Sequence, residues 1–240
     1  MDIGDDEQIH ELLNGMPEQL QVFKKGITPQ IQQAYLEYSV NIDIEAYASQ
    51  DTATKGKKLF HPDTTIEDKK KCLILLAHEG TADACLIIRK FLEVSEDEVL
   101  KEWGALALEE GWLLVESDLF EKPTGMVLTG LGGEGDRLRY FFAVGVKGKD
   151  IGSPEFSSIE QRISSVCKEF AAVLEELQIF ATYMTVQMLV SMDVAVGEVI
   201  ERVISESNRE VEWLRREYFV TNSEIPSAEQ ILRYLEQTGR

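Results

Sequence analysis

Apolar positions in the first half of this 240-residue chain recur mostly at helical spacing, whereas two runs in the second half alternate strictly. Thr28-Pro29 predicts a helix start, with threonine as N-cap and proline at the first helical position. Ile31, Ala34, Tyr35, Tyr38, Ile42 and Ala46 would form its apolar face. Val40, Ile42, Ile44, Ala46 and Ala48 also alternate as a strand would, but the cap and the length of the pattern favour helix. Upstream, Ile9, Leu12, Leu13, Met16 and Leu20 predict one or two short helices interrupted by Pro17, and residues 49–64 read as a loop. Thr64 or Thr65, with Glu67 or Asp68 three residues on, forms a capping box for a helix that Gly80 stops. A second helix is predicted from Thr81 to Leu92. A third, capped by Ser95 and Glu98, is predicted to end at Gly111.

Inside this region a segment occurs twice. Cys72-Leu73-Ile74-Leu75-Leu76-Ala77-His78-Glu79-Gly80 matches Trp103-Gly104-Ala105-Leu106-Ala107-Leu108-Glu109-Glu110-Gly111 at an offset of 31 residues. Each copy is a run of small and aliphatic residues closed by Glu-Gly. Residues 64–119 thereby resemble a HEAT-like helical repeat. The resemblance implies antiparallel helix pairs with a small-residue face that packs on its neighbour.

The pattern changes after Glu121-Lys122-Pro123-Thr124-Gly125, which divides the chain into a helical segment, 1–124, and an α+β domain, 125–240. Met126–Leu131 and Arg137–Lys147 read as a hairpin joined by a Gly-rich loop, with Leu138, Tyr140, Phe142, Val144 and Val146 on one face. A long helix is predicted from Ser157 through Ile159, Ile163, Val166, Phe170 and Leu174 to Leu177. Tyr183–Met192 alternates as a strand. A short helix, a strand at Glu217–Thr221 and a terminal helix capped by Ser227 and Gln230 follow. The predicted class is α+β: helical, HEAT-like hairpins, then a two-layer α/β sandwich with a mostly antiparallel sheet.

Charge narrows the partners. The chain carries a formal net charge of −19. Residues 1–124 hold 25 acidic and 12 basic residues, against 18 and 12 in residues 125–240. Such a balance disfavours nucleic acid and anionic membrane surfaces and favours a protein partner with a basic surface docking on the first half. The run Lys69-Lys70-Lys71 reads as a solvated helix face, too small for a nucleic-acid footprint. Cys72, Cys85 and Cys167 lie among apolar neighbours, as reduced core thiols of a cytoplasmic protein do. The N-terminus has no basic or apolar stretch of a signal peptide, and no apolar run reaches the roughly 20 residues that span a bilayer.

Candidate chemistry is sparse. Gly130, Gly132, Gly133 and Gly135, followed by Arg137 and Arg139, would let backbone N–H groups and two guanidinium groups meet an anion. No helix N-terminus follows them, so a flexible hairpin turn is the competing reading. His10, His61 and His78 have no partner at ligand spacing, and no Gly-x-Ser-x-Gly is present, so neither a metal site, a cofactor nor a catalytic residue is marked. Met184, Met188 and Met192 at strand spacing read as core packing. Trp112, with Glu109 and Glu110, is the candidate interface anchor. The sequence therefore favours a non-enzymatic protein–protein interaction or scaffold module with an acidic helical surface. The alternatives are a small-ligand or nucleotide-binding regulatory domain using the Gly-rich loop, an acidic chaperone for a secreted or unfolded client, and an enzyme with an unmarked site.

Overall fold

The computed structural model describes residues 19–47, 49–120, 124–147 and 153–238. Residues 1–18 of the helices expected around Pro17, and the Glu121–Pro123 part of the boundary, lie outside them, while Leu20 falls in a strand rather than a helix. The chain is α+β and divides into two compact units, residues 1–21 with 27–128 and residues 22–26 with 129–240.

The first unit holds β1 (Gln19–Val22) except its last residue, α1 (Pro29–Asn41), a 3₁₀ turn (Glu45–Tyr47), α2 (Thr52–Phe60), α3 (Ile66–Ala77), α4 (Ala82–Val94), α5 (Glu98–Phe120) and β2 (Thr124–Val127). β1 and β2 pair as a two-stranded sheet. Pro29 opens α1, but Thr28 does not cap it through its side chain. Its N–H and Oγ1 instead donate to Glu102, at 3.2 and 3.3 Å. α1 stops at Asn41, and Ile42 is extended, so the predicted face beyond Tyr38 does not continue as helix. α2 replaces the predicted loop: the Asp51 carboxylate accepts from Thr54 N–H at 2.7 Å and starts it. The Thr65–Asp68 capping box starts α3, and Gly80 ends that turn in the left-handed region at φ 57°. α5 is capped by Asp97 rather than Ser95, its carboxylate accepting from Leu100 N–H at 2.9 Å.

The second Glu-Gly does not end a helix. Gly111 lies inside the 23-residue α5. A Cβ on it would stand 2.9 Å from Cys85 Sγ and 3.5 Å from Ala77 Cα. This glycine sets how closely α5 approaches α3 and α4, while its repeat partner Gly80 sets a turn. The two copies of the sequence segment thus adopt different local structures.

In the second unit, β3 (Gly133–Glu134), β4 (Arg137–Val146), α6 (Ser153–Glu169), β5 (Val173–Ile179), β6 (Tyr183–Ser191), α7 (Val196–Ser207), β7 (Leu214–Thr221) and α8 (Ala228–Thr238) follow in order. The sheet is antiparallel, in the order β5-β6-β4-β7, with β3 also on β4. From β4 to β7 this is the β-α-β-β-α-β, ferredoxin-like arrangement. Phe142, Val144, Met184, Val186, Met188 and Val190 turn one face onto Ile159, Ile163, Val199, Ile200 and Val203 of α6 and α7. On the other face Phe141, Ala143 and Tyr183 pack with Ile231 and Leu235 of α8, which a Ser227–Gln230 capping box starts.

β5 lies where the long helix was predicted to run on. α6 ends at Glu169, and Ala171 turns the chain at φ 51°. A register shift between Leu174 and Glu176 marks a β-bulge, which leaves both Leu174 and Leu177 packed against the core. The bulge puts an extra residue between two inward positions, so their spacing of three imitates a helix.

Gly111→Ala separates the two roles of this glycine. At an open helix position the change stabilises by about 1 kcal/mol. Against Cys85 Sγ it is expected to destabilise by about 1–2 kcal/mol, measured by urea unfolding.

Candidate functional site

The Gly-rich loop is engaged with backbone. Gly132 and Gly135 have φ of 69° and 62°. A Cβ at Gly130 would meet Ser223 O, and one at Gly133 would meet Arg137 O. The N–H groups of Leu131, Gly132 and Gly133 donate to Asn222 O, Thr129 O and Phe23 O, at 2.9, 3.2 and 2.9 Å. Arg139 forms a bidentate pair with Glu175, Nε to Oε2 at 2.5 Å and Nη2 to Oε1 at 2.7 Å, and Nη1 donates to Leu131 O at 2.8 Å. That hydrogen bonding holds the Glu175 carboxyl below its ordinary range. Arg137 pairs through its backbone with Glu134 and Ser191. Gly130, Gly132 and Gly133 thus serve close backbone approach, while Gly135 serves the left-handed turn.

Among the interface candidates, Trp112 is half-buried with the Arg89 guanidinium 5.6 Å from its ring centre. Burial, and then Glu116, raises the carboxyl pKa of Glu109. Glu110 belongs to a different setting. The Tyr35 hydroxyl donates to its Oε2 and the Ser39 hydroxyl to its Oε1, the latter at 3.2 Å, while His78 Nε2 stands 3.1 Å from Oε1 and 2.7 Å from Ser39 Oγ. This joins α1, the end of α3 and α5. It places a serine, a histidine and a carboxylate together, but not as a nucleophile with its base. With Nε2 protonated, His78 donates between Ser39 Oγ and Glu110 Oε1, and the serine proton is given to Glu110. The carboxylate meets the same imidazole nitrogen as the serine, whereas a relay needs it on the other. His78 Nδ1 is buried without a hydrogen-bond partner among the described residues. Burial raises the Glu110 pKa, but donation from His78, Tyr35 and Ser39 outweighs it and holds the carboxyl below its ordinary value. Burial, with Glu110 opposite, pushes the Tyr35 phenol well up.

Beside this fastening, α1, the 3₁₀ turn, α3 and α5 enclose a cleft of about 720 Å³. Tyr38, Tyr47 and Trp103 supply aromatic surface, and Lys70 and Lys71 supply charge. Lys70 Nζ stands 4.9 Å from the centre of the Trp103 ring and 2.8 Å from Glu67 Oε1. Lys71 Nζ stands 5.4 Å from the Tyr47 ring centre and donates to its hydroxyl at 3.2 Å. That hydrogen bond raises the Lys71 pKa, so its ammonium group is charged at neutral pH. Trp103 packs edge-on against Tyr35 and Tyr38 and is 3% exposed, so Tyr38 and Tyr47, both half-buried, are the rings a ligand would reach. Glu37 and Asp43 stand on the rim. Two of the three lysines read from sequence as a solvated face therefore line a concave, aromatic surface. Lys70 and Lys71 are adjacent in sequence, but the rings they cover come from positions 47 and 103, which no local pattern links.

The other marked residues have structural surroundings. The three cysteines are buried, and burial pushes each thiol up. Among the described residues no group of three or more His, Cys, Asp and Glu is arranged to hold a metal ion, and no helix is long and apolar enough to cross a membrane.

No family model matches the chain, and no curated protein is similar to it. Solved structures with partial likeness exist. A candidate transposase from Deinococcus radiodurans R1 is 12% identical over 42% of this chain and 90% of its own, with a TM-score of 0.38. The REP-associated tyrosine transposase bound to a REP hairpin is 8% identical over 41% of this chain and 62% of its own, with a TM-score of 0.32. These neighbours overturn two readings of the sequence: the non-enzymatic scaffold and the exclusion of nucleic acid. At such scores the likeness assigns no activity to this chain.

The Glu110 fastening has a measurable signature. Glu110→Ala leaves the Tyr35 hydroxyl, 2% exposed, without its acceptor and is expected to destabilise the protein by about 2–3 kcal/mol. Because the folded pKa of Glu110 lies below the unfolded value of about 4.3, its stabilisation is present above that pH and is lost as pH falls through the folded pKa. Urea midpoints measured from pH 7 to pH 3 are expected to fall less steeply in Glu110→Gln than in the unmodified chain.

Proposed function

We propose that the protein binds single-stranded nucleic acid, taking one or two unstacked bases in the cleft between α1, α3 and α5. The observation that supports this reading is the pairing of aromatic surface with charged lysines in one concavity: Tyr38 and Tyr47 beside Lys70 and Lys71. Sequence-tolerant recognition of single strands uses this combination, with bases stacked on rings and phosphates held by cations. The volume, about 720 Å³, suits a base or two with the attached sugar and phosphate. Duplex does not fit the reading, because its bases present no free face.

The chain's net charge of −19 sets the terms of such binding. The contact is short, with two lysines for the phosphates. For a single strand the slope of log K against log salt is about −0.7 per neutralised phosphate, which gives about −1.4 here. Stacking contributes about 1–3 kcal/mol per base and the two phosphate contacts add to it at low salt, so two well-stacked bases are expected to bind at roughly 10–100 μM.

Fluorescence anisotropy with a labelled six-nucleotide single strand, titrated from 20 to 200 mM salt, measures both quantities. Tyr38→Ala is expected to weaken binding by about 1–3 kcal/mol at every salt concentration. Lys70→Ala or Lys71→Ala is expected to reduce the slope by about 0.7. Equal binding of duplex, or a Tyr38→Ala variant that binds as well as the unmodified chain, would remove the reading.

A further inference from the structure

The polar groups that line the cleft between α1, α3 and α5 differ in what they leave free for a ligand. Its ammonium groups stand over rings, with Lys70 donating to Glu67 Oε1 at 2.8 Å and Lys71 to the Tyr47 hydroxyl at 3.2 Å. The Asn41 amide donates back onto its own helix, to Glu37 O at 2.6 Å. The two rim carboxylates are each held by one oxygen. Glu37 Oε1 accepts from Gln33 Nε2 at 2.8 Å, and Asp43 Oδ1 accepts from the Ala46 N–H at 3.3 Å. Among the described residues Glu37 Oε2 and Asp43 Oδ2 accept nothing.

Asp43 is tied to an aromatic ring through the backbone. Its bond to Ala46 caps the 3₁₀ turn that carries Tyr47, and the Tyr47 N–H closes the same turn onto Ile44 O at 3.0 Å. Carboxylate and ring thus belong to one short, hydrogen-bonded piece of chain. Glu37 is held on α1 instead, one residue before Tyr38, and consecutive helix residues point about 100° apart. A carboxylate offers acceptors alone, so it favours a partner with two adjacent N–H donors. Guanine alone among the bases presents two side by side, N1–H and the N2 amino group. Adenine and cytosine place a ring acceptor beside their amino group, and thymine and uracil have one N–H between two carbonyls.

We propose that the cleft prefers guanine, whose N1–H and N2 amino group donate to the Asp43 carboxylate while the base stacks on Tyr47. The inference rests on the reading of this cleft as a single-strand site and adds the base to it. Stacking and the two lysines are indifferent to sequence, and Asp43 supplies the selection.

The test is fluorescence anisotropy at low salt with a labelled strand of six thymidines, and with the same strand carrying one guanine, adenine, cytosine or hypoxanthine. The guanine strand is expected to bind about fivefold to a hundredfold more tightly than the thymine strand, the range that one bidentate base contact supplies. Hypoxanthine keeps N1–H and lacks the N2 amino group, so its strand is expected in between. Asparagine caps a turn as aspartate does but sets a donor beside its acceptor. Asp43→Asn is therefore expected to keep the circular dichroism of the unmodified chain and to bind the guanine and thymine strands equally. Glu37→Gln is expected to retain the preference. Equal binding of the guanine and thymine strands by the unmodified chain would overturn the base preference and leave the single-strand reading standing, whereas no binding of any strand would remove both. Hypoxanthine bound as tightly as guanine, or a preference that survives Asp43→Asn, would also overturn the proposal.

Discussion

One half-buried carboxylate, Glu110, fastens α1 to the rest of the first unit. α1 is weakly held by packing: Tyr35 is its only buried residue, and Leu36 and Val40 are exposed. Hydrogen bonds supply what apolar burial does not. Tyr35 and Ser39 reach Glu110 on α5, and Ser39 also meets His78 at the end of α3. A buried donor without its acceptor costs about 1–3 kcal/mol, a large share of the margin by which α1 is held. Because α1 supplies Tyr38 to the cleft, the fastening that sets its position also sets the aromatic wall.

The cleft shows how local arrangement overrides whole-chain charge. A protein at −19 repels polyanions on average. Two lysines stacked over rings make a small region where that average does not hold. Lys70 lies over the buried Trp103 ring and Lys71 over the half-buried Tyr47 ring, so the cations sit beside the aromatic surface that Tyr38 and Tyr47 leave accessible. The neighbouring acids, Glu37, Asp43 and Glu67, limit this region to one or two phosphates. Counting charges along the sequence cannot reveal such a site, because it averages over residues that point apart in the fold.

Much of the fold was legible where local signals agree. The Thr65–Asp68 and Ser227–Gln230 boxes mark helix starts, and the strict alternation of β6 marks a buried strand. The failures share a cause: one pattern with two physical meanings. Leu174 and Leu177 stand at helical spacing because of a β-bulge. Gly111 looks like a helix end but is a contact point against Cys85, while Gly80 in the matching segment is a true turn. α2 was missed because its lysines and Gly56 obscure the few apolar positions that turn inward, chiefly Leu59. The cleft was illegible for another reason. Its parts come from positions 38–47, 70–71 and 103, and only the packing of α1, α3 and α5 brings them together.

The most direct measurement is photocrosslinking of the full chain to a short single strand carrying 5-bromodeoxyuridine, followed by mass spectrometry of the crosslinked peptides. The account predicts adducts on Tyr38 or Tyr47, abolished by excess unlabelled single strand. Adducts confined to residues 129–238, or none at protein concentrations well above 100 μM, would contradict it.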